Sequence, residues 1–101
     1  MKRTVVRYKT KPEQTQENER LIREVFQELK AKSPDGVRYL SLRLDDGSFV
    51  HFSAVEDADG PHPVTSLAAF RSFQSGIKER CSEPPQSINA TVVGNYRMVD
   101  E

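Results

Sequence analysis

His51 and Arg7 are the two residues whose side chains could do chemistry together. An imidazole has an ordinary pKa of about 6.5, so His51 could move a proton near neutral pH. A guanidinium stays charged and presents several donors, so Arg7 could hold an enolate, phenolate or carboxylate while that proton moves. Tyr39, Ser41 and Arg43 could add polar contacts to a bound ligand, with Phe49 as an aromatic wall. Each has a structural reading beside the functional one. An interface histidine is commonly bonded to Ser or Tyr, an arginine can pair across subunits, and aromatic rings can simply fill an interface.

Other chemistries find no footing. The chain has no nucleophile motif, phosphate loop or dinucleotide fingerprint. Cys81 is alone, which rules out an internal disulfide and fits a reducing cytoplasm. Asp57-x-Asp59-Gly60 matches a fragment of a calcium loop without its remaining ligands, and His62 between Pro61 and Pro63 reads as a loop residue. No metal and no cofactor is expected. Fifteen basic and fifteen acidic residues cancel, removing the long-range field that would gather the chain on nucleic acid or anionic lipid. Met1 to Lys9 lacks the apolar centre of a secretion signal, and no run approaches membrane-spanning length. A soluble cytoplasmic protein is expected, with neither nucleic acid nor membrane as partner.

The elements that must position these residues follow from periodicity. Tyr39 to Ala54 reads as two strands joined at Asp45-Asp46-Gly47, a loop of three with Gly47 at positive φ. That register sets Leu40 and Leu42 beside Phe52 and Val50, on one face with Leu44 and Ala54. Val37, Tyr39, Ser41, Arg43, Phe49, His51, Ser53 and Val55 share the other. Thr4 to Lys9 suits an earlier strand, its alternation expected to scatter Lys2, Arg3, Arg7, Lys9 and Lys11 over both faces. Pro12 to Lys32 carries Leu21, Ile22, Val25, Phe26 and Leu29 at helical spacing, and Ser33-Pro34-Asp35-Gly36 stops it. Glu56 to Pro63 is a loop. Leu67, Phe70, Phe73 and Ile77 predict a second helix, capped by Thr65 or Ser66, with Gly76 placed for close packing on a strand. Cys81 to Pro85 ends it, and Ser87 to Met98 reads as a last strand with a bulge at Gly94.

The order β-α-β-β-α-β predicts an α+β, ferredoxin-like fold: a four-stranded antiparallel sheet of order 4-1-3-2 with two helices on one face. The helices are expected on the Leu40, Leu42, Val50 and Phe52 face. The face with Tyr39, Phe49, Val55 and His51 would then be open, which implies a homodimer packed sheet to sheet around a cavity.

Several stretches carry a family likeness: Arg7-Tyr8-x-x-Lys11-Pro12, Asn18-Glu19 to Phe26, and Asp45-Asp46-Gly47-x-Phe49-Val50-His51. Phe70-Arg71-x-Phe73-Gln74-x-Gly76-Ile77 and Val92-Val93-Gly94-x-Tyr96-Arg97 add to it. The chain resembles the dimeric α+β barrel superfamily, in particular its small antibiotic-biosynthesis-monooxygenase-like domains. The resemblance implies one domain over residues 1–101. It also implies a cofactor-independent monooxygenase-like protein acting on or binding a small aromatic or hydroxylated compound in a cavity of the homodimer. The superfamily includes haem-degrading proteins and domains without assigned activity, so a non-catalytic homodimeric binder or structural domain is the alternative. The RNA-recognition fold shares the element order, and Phe49-Val50-x-Phe52 matches the end of its third-strand signature. Asp45 and Asp46 stand where that signature has its basic residue and glycine.

Overall fold

The computed structural model describes residues 1–56 and 59–98. Asp57 and Ala58, the first two positions of the calcium-loop fragment, lie outside the described residues. The strands are β1 (Lys2–Thr10), β2 (Val37–Arg43), β3 (Ser48–Val55) and β4 (Cys81–Asn89). The helices are α1 (Thr15–Lys32), entered through a 3-10 turn at Pro12–Gln14, α2 (Ala68–Gln74) and the single turn α3 (Ile77–Arg80). The strands form one antiparallel sheet in the order β2-β3-β1-β4, the expected order read from the other edge.

The β2–β3 hairpin closes as its turn residues require. Gly47 sits at φ 86°, Leu44 N–H donates to the Ser48 carbonyl at 2.8 Å, and Leu40 pairs with Phe52 and Leu42 with Val50. α1 ends where Ser33 turns left-handed at φ 45° and returns its N–H to the Leu29 carbonyl. Its apolar stripe of Leu21, Ile22 and Val25 meets Tyr8, Phe49 and Phe73 in the core. Burying side chains of this size stabilises the fold by about 1.5–3 kcal/mol each before entropy is subtracted.

The two faces of the sheet are the reverse of those expected. The helices cover Tyr8, Phe49, His51 and Val55, with Tyr39 half-buried beside them, whereas Leu40 and Leu42 remain 44% and 47% exposed on the outer face. The hairpin could not decide this, because both of its faces are apolar. β1 decides it: Arg3, Arg7 and Lys9 alternate with Thr4, Val6, Tyr8 and Thr10 and pair with Ala54, Val50 and Ser48. Arg3, Arg7 and Lys9 therefore share the outer face, while Lys2, paired with Val55, falls on the other, so the basic residues are divided between the faces but unequally. A strand can turn helices only toward its uncharged side, since burying Arg7 without a partner would cost far more than exposing leucines.

The second helical segment is broken. Leu67, with no side-chain cap, precedes α2, and Ala69 N–H donates instead to Glu28 Oε1 of α1 at 2.8 Å. Gly76 separates α2 from α3 at φ 79°. A Cβ there would meet nothing nearer than 3.7 Å, so backbone conformation, and not packing on a strand, is what calls for glycine.

β4 also begins earlier than expected, at Cys81, and ends at Asn89, so Gly94 is not a bulge within it. Pro84 and Pro85 fall where the pairing with β1 shifts, between Arg7↔Gln86 and Lys9↔Glu83. Proline cannot donate to a ladder and is tolerated on an edge strand or at a bulge, and here both conditions hold.

Candidate functional site

Pairing across the sheet sets Val6 and Ser41 on either side of His51, and Tyr8 opposite Phe49. All of these point toward the helices, which makes the inner sheet surface a row of rings. Tyr8 stacks on Phe49 with centroids 5.5 Å apart and on His51 at 5.4 Å, while Tyr39 stacks on His51 at 5.8 Å and on Phe26 at 5.2 Å.

A hydrogen-bonded wire runs through the same groups. Arg80 Nε donates to Asn18 Oδ1 at 3.1 Å, and Asn18 Nδ2 donates to the Tyr8 hydroxyl at 2.9 Å. That hydroxyl lies 2.8 Å from His51 Nε2, and His51 Nδ1 lies 2.8 Å from both the Tyr39 and Ser41 hydroxyls. The direction follows from counting donors. Tyr8 oxygen already accepts from Asn18, so its proton is satisfied only by donation to Nε2. His51 is then neutral with its hydrogen on Nδ1, and it donates to the Tyr39–Ser41 pair. The Ser41 hydroxyl is also bonded to Tyr39, in the sense that lowers the Tyr39 pKa, so Ser41 donates to the Tyr39 oxygen and the Tyr39 proton is left over.

Burial sets the charge states. Desolvation lowers His51 from 6.5 to about 4 and raises Tyr39 from 10 to about 12. It raises Tyr8 further still, against the lowering influence of its bond from Asn18. Arg80 enters the protein as a cation whose guanidinium is bonded to Asn18 and to the Phe73 and Ser75 carbonyls, over the Phe73 ring.

A cavity of about 370 Å³ opens between this surface and the α2–α3 segment. Tyr8, Tyr39, His51 and Ser53 line it from the sheet; Val64, Phe70, Phe73 and Ile77 supply apolar walls. Its size and its mixture of apolar wall with a few convergent polar groups suit a small organic ligand. Of the two hydroxyls at the end of the wire, Tyr39 lines this cavity and Ser41 does not.

The expected site residues divide. His51 and Tyr39 line the cavity, and Ser41 supports His51. Phe49 is fully buried beneath Tyr8. Arg43 lies at the edge of the sheet, 3.5 Å from Glu19 of α1, beside a separate groove shared with Ser41 and Phe49. Arg7 is on the opposite face of the sheet, paired with Val50 and Gln86, so it shares no cavity with His51. The cavity itself lies within one chain, between sheet and helices, and not between two sheets.

Tyr8, Asn18, Arg80 and His62 are site residues that sequence reasoning passed over. Asn18 sits three and four residues before Leu21 and Ile22, and Arg80 three after Ile77. Both are polar residues on an apolar helical stripe, the pattern of a buried, fully bonded side chain.

No protein-family model matches the chain, and no curated protein matches it. Solved structures do. A Bacteroides thetaiotaomicron protein with the provisional name antibiotic biosynthesis monooxygenase is 12% identical, with 98% of this chain and 95% of that chain covered at TM-score 0.78. A Caulobacter crescentus protein of the same provisional name is 17% identical over 92% and 90% of the two chains at TM-score 0.74. A Nitrosomonas europaea protein of unknown function is 17% identical over 98% and 96% at TM-score 0.71. The chain therefore has the α+β, ferredoxin-like fold of antibiotic-biosynthesis-monooxygenase-like structures. At such identities the likeness carries fold and no residue roles.

Proposed function

We propose that this protein binds a small hydroxylated aromatic compound in the cavity beside His51 and oxidises it with dioxygen, using the ligand's own electrons. The observation that carries this reading is the wire ending at Tyr39: an apolar cavity with one oriented hydroxyl proton over, suited to a ligand oxygen. Tyr39 donates to that oxygen and stabilises the phenolate or enolate form, while His51, Ser41 and Tyr8 hold Tyr39 in place. A ring CH2 in the keto tautomer of a phenol then reacts with dioxygen to give a ring C=O and water. Both hydrogens leave in the water, and no outside reductant is consumed. Apolar walls keep solvent from the reactive anion.

A second reading, a non-catalytic binder, is favoured by the state of His51. Both ring nitrogens are bonded within the protein, and burial holds the imidazole neutral down to about pH 4, which makes it a weak base. Oxygen uptake with a panel of naphthols and hydroquinones separates the two. Uptake above the protein-free rate, reduced at least about a hundredfold in Tyr39→Phe, supports the oxygenase. Binding without uptake leaves the binder.

The same reading makes the protein a homodimer. The outer sheet face joins Val5, Leu40, Leu42, Val50, Phe52 and Ile88 in one apolar surface, with Leu40, Leu42 and Ile88 exposed. A contiguous patch of this kind is covered economically by a second copy of itself about a two-fold axis.

A further inference from the structure

His62 enters the cavity from the loop between β3 and α2, facing the sheet residues across it. Its Nδ1 accepts the backbone N–H of Val64 at 3.1 Å and of Thr65 at 3.3 Å. A backbone N–H can only donate, so Nδ1 is unprotonated and the hydrogen of the neutral ring sits on Nε2. The tautomer is set here by the chain itself. His62 is held a second way, since its carbonyl accepts from the Ser66 N–H and the Ser66 hydroxyl. The two imidazoles of the cavity are thus in different situations: His51 has spent both nitrogens on protein hydroxyls, whereas among the described residues only Nδ1 of His62 is bonded.

Protonation would put a hydrogen on Nδ1 against two N–H groups that already point there. Desolvation, followed by the nearby Lys2 ammonium, also favours the neutral ring. The ring is therefore biased toward its neutral form and anchored at Nδ1, with its hydrogen on Nε2.

We infer that His62 Nε2–H is a ligand-recognition group of this cavity, donating to an oxygen of the bound compound from the loop side while Tyr39 serves from the sheet. The inference rests on the cavity being the binding site. It requires a ligand carrying an acceptor oxygen, and gives the Pro61-His62-Pro63 loop the task of setting one imidazole at the cavity wall.

The test compares two probes that differ by one hydroxyl, 2-naphthol and naphthalene, in wild type and His62→Asn. Asparagine keeps an acceptor oxygen for the Val64 and Thr65 N–H groups, and its shorter amide places no donor at the position of Nε2. His62→Asn should bind 2-naphthol about tenfold more weakly, bind naphthalene unchanged, and melt at the wild-type temperature. Equal loss for both probes, or no loss for either, overturns the role of His62. Ile77→Trp, which fills the cavity, should abolish binding of both. Should Ile77→Trp leave binding intact, or wild type bind neither probe, the cavity reading fails and this inference with it.

Discussion

The Tyr8 hydroxyl and His51 Nε2, on adjacent central strands, lie 2.8 Å apart. One bond thereby joins the helix-borne polar groups, Asn18 and Arg80, to the sheet-borne ones, Tyr39 and Ser41. Tyr8→Phe removes the junction and leaves an imidazole nitrogen and an amide hydrogen buried without partners. The expected loss is about 1–3 kcal/mol in urea unfolding, with retention of the fold by circular dichroism. Asn18→Leu alone should cost a similar amount, and the double variant should cost less than the sum, because both changes break one network.

Acid should weaken the protein through His51. Its folded pKa of about 4 lies below the ordinary 6.5, so the unfolded chain binds the extra proton first. Stability from this group is complete above about pH 6.5 and falls as pH drops toward 4, by about 3 kcal/mol in total. Urea midpoints measured between pH 7 and 4 should decline more steeply for wild type than for His51→Gln, which cannot titrate. Parallel slopes would refute the buried-neutral imidazole.

How much of this was legible in the sequence depends on which residues spoke unambiguously. Asp45-Asp46-Gly47 permitted a definite register, because a loop of three with a left-handed glycine pairs Leu40 with Phe52. The choice of buried face was not legible in the hairpin, where leucines alternate with aromatic residues and either set could face helices. The clue lay in β1, where every second residue from Arg3 to Lys9 except Val5 is basic. Pro84-Pro85 looked like a terminator because proline breaks helices and central strands, yet β4 is an edge strand with a shifted register at that point. The wire could not be read, since it needs the spatial meeting of Asn18 with Arg80, which are 62 residues apart.

Gly76 should resist substitution for a conformational reason alone. At φ 79°, where an added methyl group would meet its neighbours at ordinary contact distances, Gly76→Ala should cost about 1–2 kcal/mol in thermal unfolding. Gly76→Asn should cost less, since asparagine visits the left-handed region more readily. Equal, negligible costs would show that α2 and α3 can join as one helix.

The outer face should set the oligomeric state. Leu42→Lys puts a charge on the apolar patch without touching the cavity, so sedimentation should show a monomer that still binds 2-naphthol. A dimer unaffected by Leu42→Lys would place the subunit contact elsewhere. Arg7→Ala, on this same face, should leave the ligand affinity of the cavity unchanged.

Pro84 and Pro85 in β4 have one more effect. The sheet has two edges, β2 and β4, and head-to-tail joining of one copy's β2 to the next copy's β4 would propagate as an open filament. Proline has no N–H and is a recognised guard of edge strands, so its presence in β4 works against the donor row that such stacking needs. The prolines thus act as a stop on strand-by-strand polymerisation, and leave face-to-face closure as the association that ends at a finite size.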